Sequence, residues 1–308
     1  MAAVTAAMVK ELREMTGAGM MDCKKALAAT DGDMDKAVEF LREKGLAAAS
    51  KKAGRIAAEG LVTVLVSDDS KKAAIVEVNS ETDFVAKNAM FQGYVADVAA
   101  QVLATDAEDM ASFMAQPWLK APEKTVEQEL SSQIAVIGEN MNIRRFQRIN
   151  TDGCVVGYIH GGGRIGVLVE AATDVVNDTV KEALKNVCMQ IAALSPKYVN
   201  RDEVSQEFID HETEILKAQA INENPNKPES VIDKMIVGRL NKELKEFCLV
   251  DQAYVKDGDM TVGKYIESVA KEVGAQIELK SFVRFETGEG LEKKEENFAD
   301  EVAKQMGQ

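Results

Sequence analysis

Apolar residues recur at helical spacing from the start of the chain. Val4, Met8, Leu12 and Met15 define one face, and Gly17 and Gly19 then interrupt it. A second helix is predicted over about residues 22–29. Beyond the turn Asp31, Gly32, Asp33, a third carries Ala37, Phe40 and Leu41, with Gly45 as its expected C-cap. These elements predict a three-helix N-terminal module at 1–55. Residues 47–58 are rich in Ala and Lys with little apolar pattern, and read as a linker or an extended helix tail.

From Gly60 the period becomes that of strands. Residues 61–66 and 74–78 flank a turn at 67–70, predicting a hairpin. Helices are predicted over about 84–102 and 123–137, and alternation over 143–149 gives a third strand. The same grammar returns after Gly153: a strand at 155–160, a Gly turn, a strand at 165–171, a helix at about 176–194 and a closing strand at 277–285. Between these elements lie two amphipathic stretches, one with Val204, Phe208, Ile215 and Ala218, the other with Ile232, Ile236, Leu240 and Leu244. They flank Pro225 and Pro228, as expected of an antiparallel helical hairpin whose apolar stripe pairs with another copy or folds onto the core. The expected organisation is α+β: the N-terminal module, a two-part core of antiparallel sheets with helices (56–150 and 151–288, the hairpin inserted at about 203–248) and a C-terminal module at 289–308. In that last segment Phe298, Val302 and Met306 share one face of an expected docking helix.

Composition narrows the function. With 46% hydrophobic and 29% charged residues over 308 positions, the chain is a folded protein longer than one typical domain. Its net charge of −14 disfavours a generic grip on nucleic-acid phosphates. The charge is uneven: residues 1–56 hold ten Lys/Arg against eight Asp/Glu, so they carry +2 and the remainder −16. No apolar run approaches the roughly 18 residues that span a bilayer, and residues 1–10 lack a secretory leader, so a cytoplasmic location away from membranes is expected. Cys23, Cys154, Cys188 and Cys248 are scattered without a CxxC pair, which predicts buried reduced thiols rather than a disulfide frame or zinc site.

Catalytic motifs are weak. Gly161, Gly162, Gly163, Arg164, Ile165, Gly166 matches GxGxxG, but a dinucleotide loop must lead into a helix, and here a strand lies on both sides. A hairpin turn is the better reading. His160 and His211 belong to no recognisable triad or metal motif, and the carboxylate runs read as a solvated face. No catalytic residue, resident metal, cofactor or direct nucleotide binding is expected. Two segments remain. Met20 and Met21 stand at a helix mouth, where adjacent thioethers cannot both face one small core; a partner contact and core packing are both open. Thr82, Asp83, Phe84 and Val85 lie between a strand and a helix, with Thr82 or Asp83 as N-cap. Phe84 either sits at the helix mouth or extends the apolar face of Phe91, Val95, Val98 and Val102.

Residues 10–27, with Glu-Leu-Arg, Thr-Gly-Ala-Gly-Met-Met and Asp-Cys-Lys-Lys-Ala-Leu, resemble the opening signature of the elongation factor Ts family, and residues 82–88 resemble its second signature. Residues 138–145, 160–166 and 284–290 extend the resemblance along the chain. It implies a ubiquitin-associated-like N-terminal module, a two-part core, an inserted coiled-coil hairpin and a C-terminal module. It also implies a partner, the GTPase elongation factor Tu, whose GDP is released. On that mapping the Asp83–Phe84 pair enters near the partner's magnesium and phosphate site, with Phe84 as a wedge and Asp83 capping the loop. Met20 and Met21 match partner-contacting positions, and His160 is a further candidate contact. A nucleotide-dependent enzyme using residues 161–166 and a scaffold that leaves nucleotide untouched are the competing readings.

Overall fold

The computed structural model describes residues 4–292, so the expected tail helix with Phe298, Val302 and Met306 lies outside the described residues. Three helices open the chain: α1 (Ala6–Thr16), α2 (Met20–Ala29) and α3 (Met34–Lys52). The Thr5 and Asp33 side chains cap α1 and α3 by accepting the N–H groups of Met8 and Lys36. Leu12, Cys23, Ala26, Leu27 and Ala37 are their fully buried core. Phe40, expected on the inner face, is more than a third exposed.

Gly45 does not end α3, which corrects the expected C-cap. A glycine stops a helix by turning left-handed, and Gly45 keeps helical backbone with no positive φ. It is buried where α3 lies on a later helix, so close that an added Cβ would sit 3.7 Å from Ala135 Cβ. Residues 47–52 continue the helix, the second of the two readings for that stretch, and Ala49 packs on the adjoining core.

The first half of the core begins with β1 (Glu59–Val66) and β2 (Lys72–Ser80), then α4 (Asp83–Ala86), α5 (Ala89–Ala104) and α6 (Met110–Ala115). A small hairpin, β3 (Pro117–Trp118) and β4 (Ala121–Thr125), leads to α7 (Val126–Ile137) and β5 (Met141–Asn150). The second half runs β6 (Cys154–His160), β7 (Ile165–Ala172), α8 (Asp178–Leu194), α9 (Gln206–Glu223) and α10 (Glu229–Phe247). Its own small hairpin, β8 (Ala253–Tyr254) and β9 (Asp257–Thr261), precedes α11 (Val262–Val273) and β10 (Glu278–Glu286). The predicted helix over 84–102 is two helices, because the Asn88 side chain accepts the Met90 N–H at 2.8 Å and starts α5 afresh. The helix expected from 123 begins at Val126, since residues 121–125 are extended.

Both sheets are antiparallel and three-stranded, ordered β1-β2-β5 and β6-β7-β10, so in each the closing strand pairs with the second hairpin strand. The repetition reaches single side chains. Gln101 of α5 donates to the Pro117 carbonyl and accepts from Leu119 N–H, while Gln190 of α8 does the same with Ala253 and Val255. Thr125 and Thr261 cap α7 and α11, and left-handed Gly138 and Gly274 end them. The sheets face one another through Val62, Ala73, Ile75 and Ile149 on one side and Val155, Leu168, Val283 and Phe285 on the other. The whole is α+β. In α9 and α10 the apolar stripe is buried by the two helices against each other, through Leu216, Ala220, Ile232 and Ile236. All four cysteines are buried.

Candidate partner-binding site

Strand β2 delivers Ser80 to the end of its sheet, and the chain must then reach the start of α5. Thr82 is extended, and its hydroxyl accepts the Val85 N–H at 3.4 Å, making it the N-cap of α4. The role given to Asp83 in capping is therefore corrected: its carboxylate instead takes a hydrogen bond from Lys87 Nζ at 2.6 Å, one turn on. That bond holds the Asp83 carboxyl below the usual carboxylate range.

Within α4 the side chains diverge. Ala86 is buried and Val85 packs against the core of helices and sheet. Phe84 points the other way and is 81% exposed, more than Met20 at 60% or Met21 at 61%. It does not extend the face formed by Phe91, Val95, Val98 and Val102, all of which are buried. An aromatic ring left in water by a structured turn forgoes about 1.5–3 kcal/mol of burial.

The glycine turn lies beside α4. Gly161, Gly162 and Gly163 all have positive φ (59°, 65° and 101°) and close the β6–β7 hairpin, with β7 and not a helix following. The Gly163 carbonyl accepts the Val62 N–H at 2.7 Å, which ties this turn to the first sheet. Gly161, Gly162 and Arg164 share a cleft of about 440 Å³ with Asp83, Ala86 and Lys87. His160 precedes the turn; it is exposed, with Nδ1 3.0 Å from the Tyr158 hydroxyl. Met20 and Met21 open α2 on the three-helix module, and with both exposed the core-packing alternative falls. Among the described residues no group of three or more His, Cys, Asp or Glu is placed to hold a metal ion.

Residues 81–289 match the family model for elongation factor Ts. The elongation factor Ts of Clostridioides difficile (strain 630) is 56% identical over 306 residues, covering 99% of this chain and 100% of its own length. Those of Clostridium novyi (strain NT) and Clostridium tetani (strain Massachusetts / E88) are 55% and 53% identical, each over 98% or more of both chains. The chain belongs to the elongation factor Ts family. Membership places it among the translation elongation factors.

The elongation factor Ts match begins at Glu81, and here the structure adds long-range partners of Thr82 that the sequence reading missed. Thr82 is held from behind by Glu139, whose carboxylate accepts the Thr82 N–H at 3.0 Å and its hydroxyl at 2.6 Å. Glu81 in turn accepts the Asn140 N–H at 2.6 Å and pairs with Arg55 at 3.3 Å. The available signal was the Gly138-Glu139-Asn140 run, where polar side chains follow a helix-ending glycine within a segment resembling elongation factor Ts. Among the described residues no helix is long and apolar enough to cross a membrane.

Proposed function

We propose that this chain is a guanine-nucleotide exchange factor that binds elongation factor Tu and drives GDP release by inserting Phe84 near the partner's magnesium and phosphate site. Family membership implies the coarser statement, nucleotide exchange on elongation factor Tu during translation elongation. The observation that carries the finer one is Phe84, held 81% exposed on a capped turn. Mg²⁺ bridging the phosphates of a bound nucleotide demands near-octahedral geometry, so a small displacement of its ligands weakens nucleotide binding. A rigid aromatic wedge supplies that displacement with no covalent step and no bound nucleotide on this chain. Thr82 caps the turn and Val85 anchors it to the core, and Asp83 meets the partner beside Phe84. Met20, Met21 and His160 add contacts that bind without displacing the metal. The reading puts the chain in the cytoplasm. Self-association through the exposed Ile221, Val231 and Val237 of the hairpin is a separate proposal, and sedimentation at rising concentration tests it.

Release of a fluorescent GDP from elongation factor Tu tests the wedge. The native chain is expected to accelerate release, and Phe84→Ala to lose about tenfold to a hundredfold of that acceleration, or about 1.4–2.7 kcal/mol, with an unchanged melting curve. Full acceleration by a folded Phe84→Ala chain would move the mechanism elsewhere, and none from the native chain would sink the exchange reading.

A further inference from the structure

We propose that Glu139 is a positioning residue for Phe84: its carboxylate latches Thr82 and so sets the direction in which the α4 turn leaves the sheet. The use made of that direction rests on the exchange reading above, whereas the latch concerns this chain alone.

Both oxygens of one carboxylate are spent on one residue. Oε2 accepts the Thr82 N–H at 3.0 Å and Oε1 accepts its hydroxyl at 2.6 Å. Such charge-assisted bonds are stronger than neutral ones, and two of them to a single residue fix its orientation as well as its distance. Glu139 is itself well placed to act as a fixed point. It follows left-handed Gly138 at the end of α7 and lies two residues before Met141, which pairs with Ser80 across the sheet. Neighbouring residues repeat the stitch in the opposite sense: Glu81 accepts the Asn140 N–H at 2.6 Å, and Asn140 Nδ2 donates to the Arg55 carbonyl at 2.8 Å. Residues 81–82 and 139–140 are thus cross-braced by two carboxylates, one from each segment.

The second half of the core shows what the same fold does without the latch. Ser80 Oγ donates to the Thr82 carbonyl, and Thr173 Oγ1 donates to the Val175 carbonyl in the equivalent loop. Ser80 lies eight residues before the N-cap Asn88, but Thr173 only four before the N-cap Asn177. The first loop is longer by four residues, the length of α4. On this correspondence Val175 stands in the place of Thr82, and Ala275, the residue after Gly274, in that of Glu139. Val175 packs against the core of its own half, and Ala275 has no side-chain acceptor to offer. The acceptor and the projecting turn therefore occur together in one half and are absent together from the other. A single helical turn does not hold itself, since nucleation of an isolated helix is unfavourable. With Thr82 released, the turn loses its fixed orientation and Phe84 swings freely, and the latch opposes that motion.

The test uses the full chain as native, Glu139→Ala, Glu139→Gln and Thr82→Val forms. Glu139→Ala is expected to lower the maximal rate of fluorescent GDP release from elongation factor Tu about tenfold. The chain concentration giving half the maximal rate should move less. Glu139→Gln keeps one acceptor oxygen and should recover part of the rate. Thr82→Val removes the hydroxyl bond to Glu139 and the cap on Val85 but keeps the Thr82 N–H. It should also lower the rate, and the double variant should lose less than the two single losses summed, as expected of partners in one interaction. A second readout needs no partner. A tryptophan introduced by Phe84→Trp, read after subtraction of the buried native Trp118, should lose fluorescence anisotropy when Glu139→Ala is added. Native rate and anisotropy in a folded Glu139→Ala chain overturn the latch, and if that variant does not fold, Glu139→Gln and Thr82→Val decide by the same readouts. If the native chain fails to speed GDP release, the exchange reading falls, and the anisotropy alone decides the latch.

Discussion

Glu77 on β2 is fully buried, yet its carboxylate is surrounded by donors. Arg145 Nε lies at 2.6 Å, the Gly288 N–H at 2.7 Å, and Asn79 Nδ2 and Arg144 Nη1 at 3.0 Å. Burial works against the charge, and the Gly288, Asn79 and Arg145 hydrogen bonds outweigh it, so the folded carboxyl titrates below its ordinary value near 4.5. The sign follows by linkage: the contribution to stability is full above that ordinary value and is lost as the pH falls through the lower folded value. At neutral pH Glu77→Gln is expected to cost about 2–4 kcal/mol, somewhat under the usual figure for a broken buried pair because both guanidinium groups stay partly exposed. Urea unfolding at a series of pH values checks this. The gap between native and Glu77→Gln chains should close on acidification, and a constant gap would mean that Glu77 carries no buried charge. Single residues were the least legible scale in the sequence. Phe84 fits the three-and-four spacing of Phe91, Val95, Val98 and Val102, and only the restart of the helix at Asn88 turns it outward. Thr82 showed its capping chemistry, but its partner Glu139 is 57 positions away and no local pattern connects them.

Elements were easier to read, because period and punctuation are local. Both long hairpins, both closing strands and the paired helices α9 and α10 follow from alternation, heptad-like spacing and turn residues. The pieces that escaped were α6, α11 and the two small hairpins β3–β4 and β8–β9. Strands of two to five residues are too short to show a period, and these are held by long-range bonds from Gln101 and Gln190. The glycine run was read correctly as a turn, but its other use was hidden: glycine also lets the two sheets approach. A Cβ added at Gly166 would lie 2.4 Å from Val62 Cγ1 and 3.3 Å from Ile75 Cδ1, both on the opposing sheet. Gly166→Ala is therefore expected to destabilise by about 1–3 kcal/mol through overpacking. Adding Val62→Ala removes the atom it meets, so the double variant should lose less than the two single losses summed. Additive melting data would place the strain somewhere other than between the sheets.

At the scale of the whole molecule, the exposed methionines and Phe84 belong to one body. Helix α3 lies on α7, where Arg42 Nη2 donates to Gln128 Oε1 at 2.8 Å and Lys52 Nζ to the Ile134 carbonyl at 3.4 Å. On the proposed reading, a partner gripped at Met20 and Met21 is thereby offered Phe84 at a set distance, and the two contacts should separate in experiment. Replacing both methionines with alanine is expected to weaken binding to elongation factor Tu about tenfold while leaving the saturated rate of GDP release unchanged, since those contacts are made equally before and after release. Phe84→Ala should lower the saturated rate, with any loss of affinity confined to nucleotide-free elongation factor Tu. Linkage sharpens the contrast: whatever factor this chain imposes on GDP affinity, GDP must impose on the affinity for this chain. Calorimetry of the chain against GDP-loaded and nucleotide-free elongation factor Tu measures that factor directly. It should shrink toward one in Phe84→Ala and stay unchanged in the methionine double variant. If Phe84→Ala leaves the factor intact, the coupling does not run through the exposed ring, however much that ring contributes to binding.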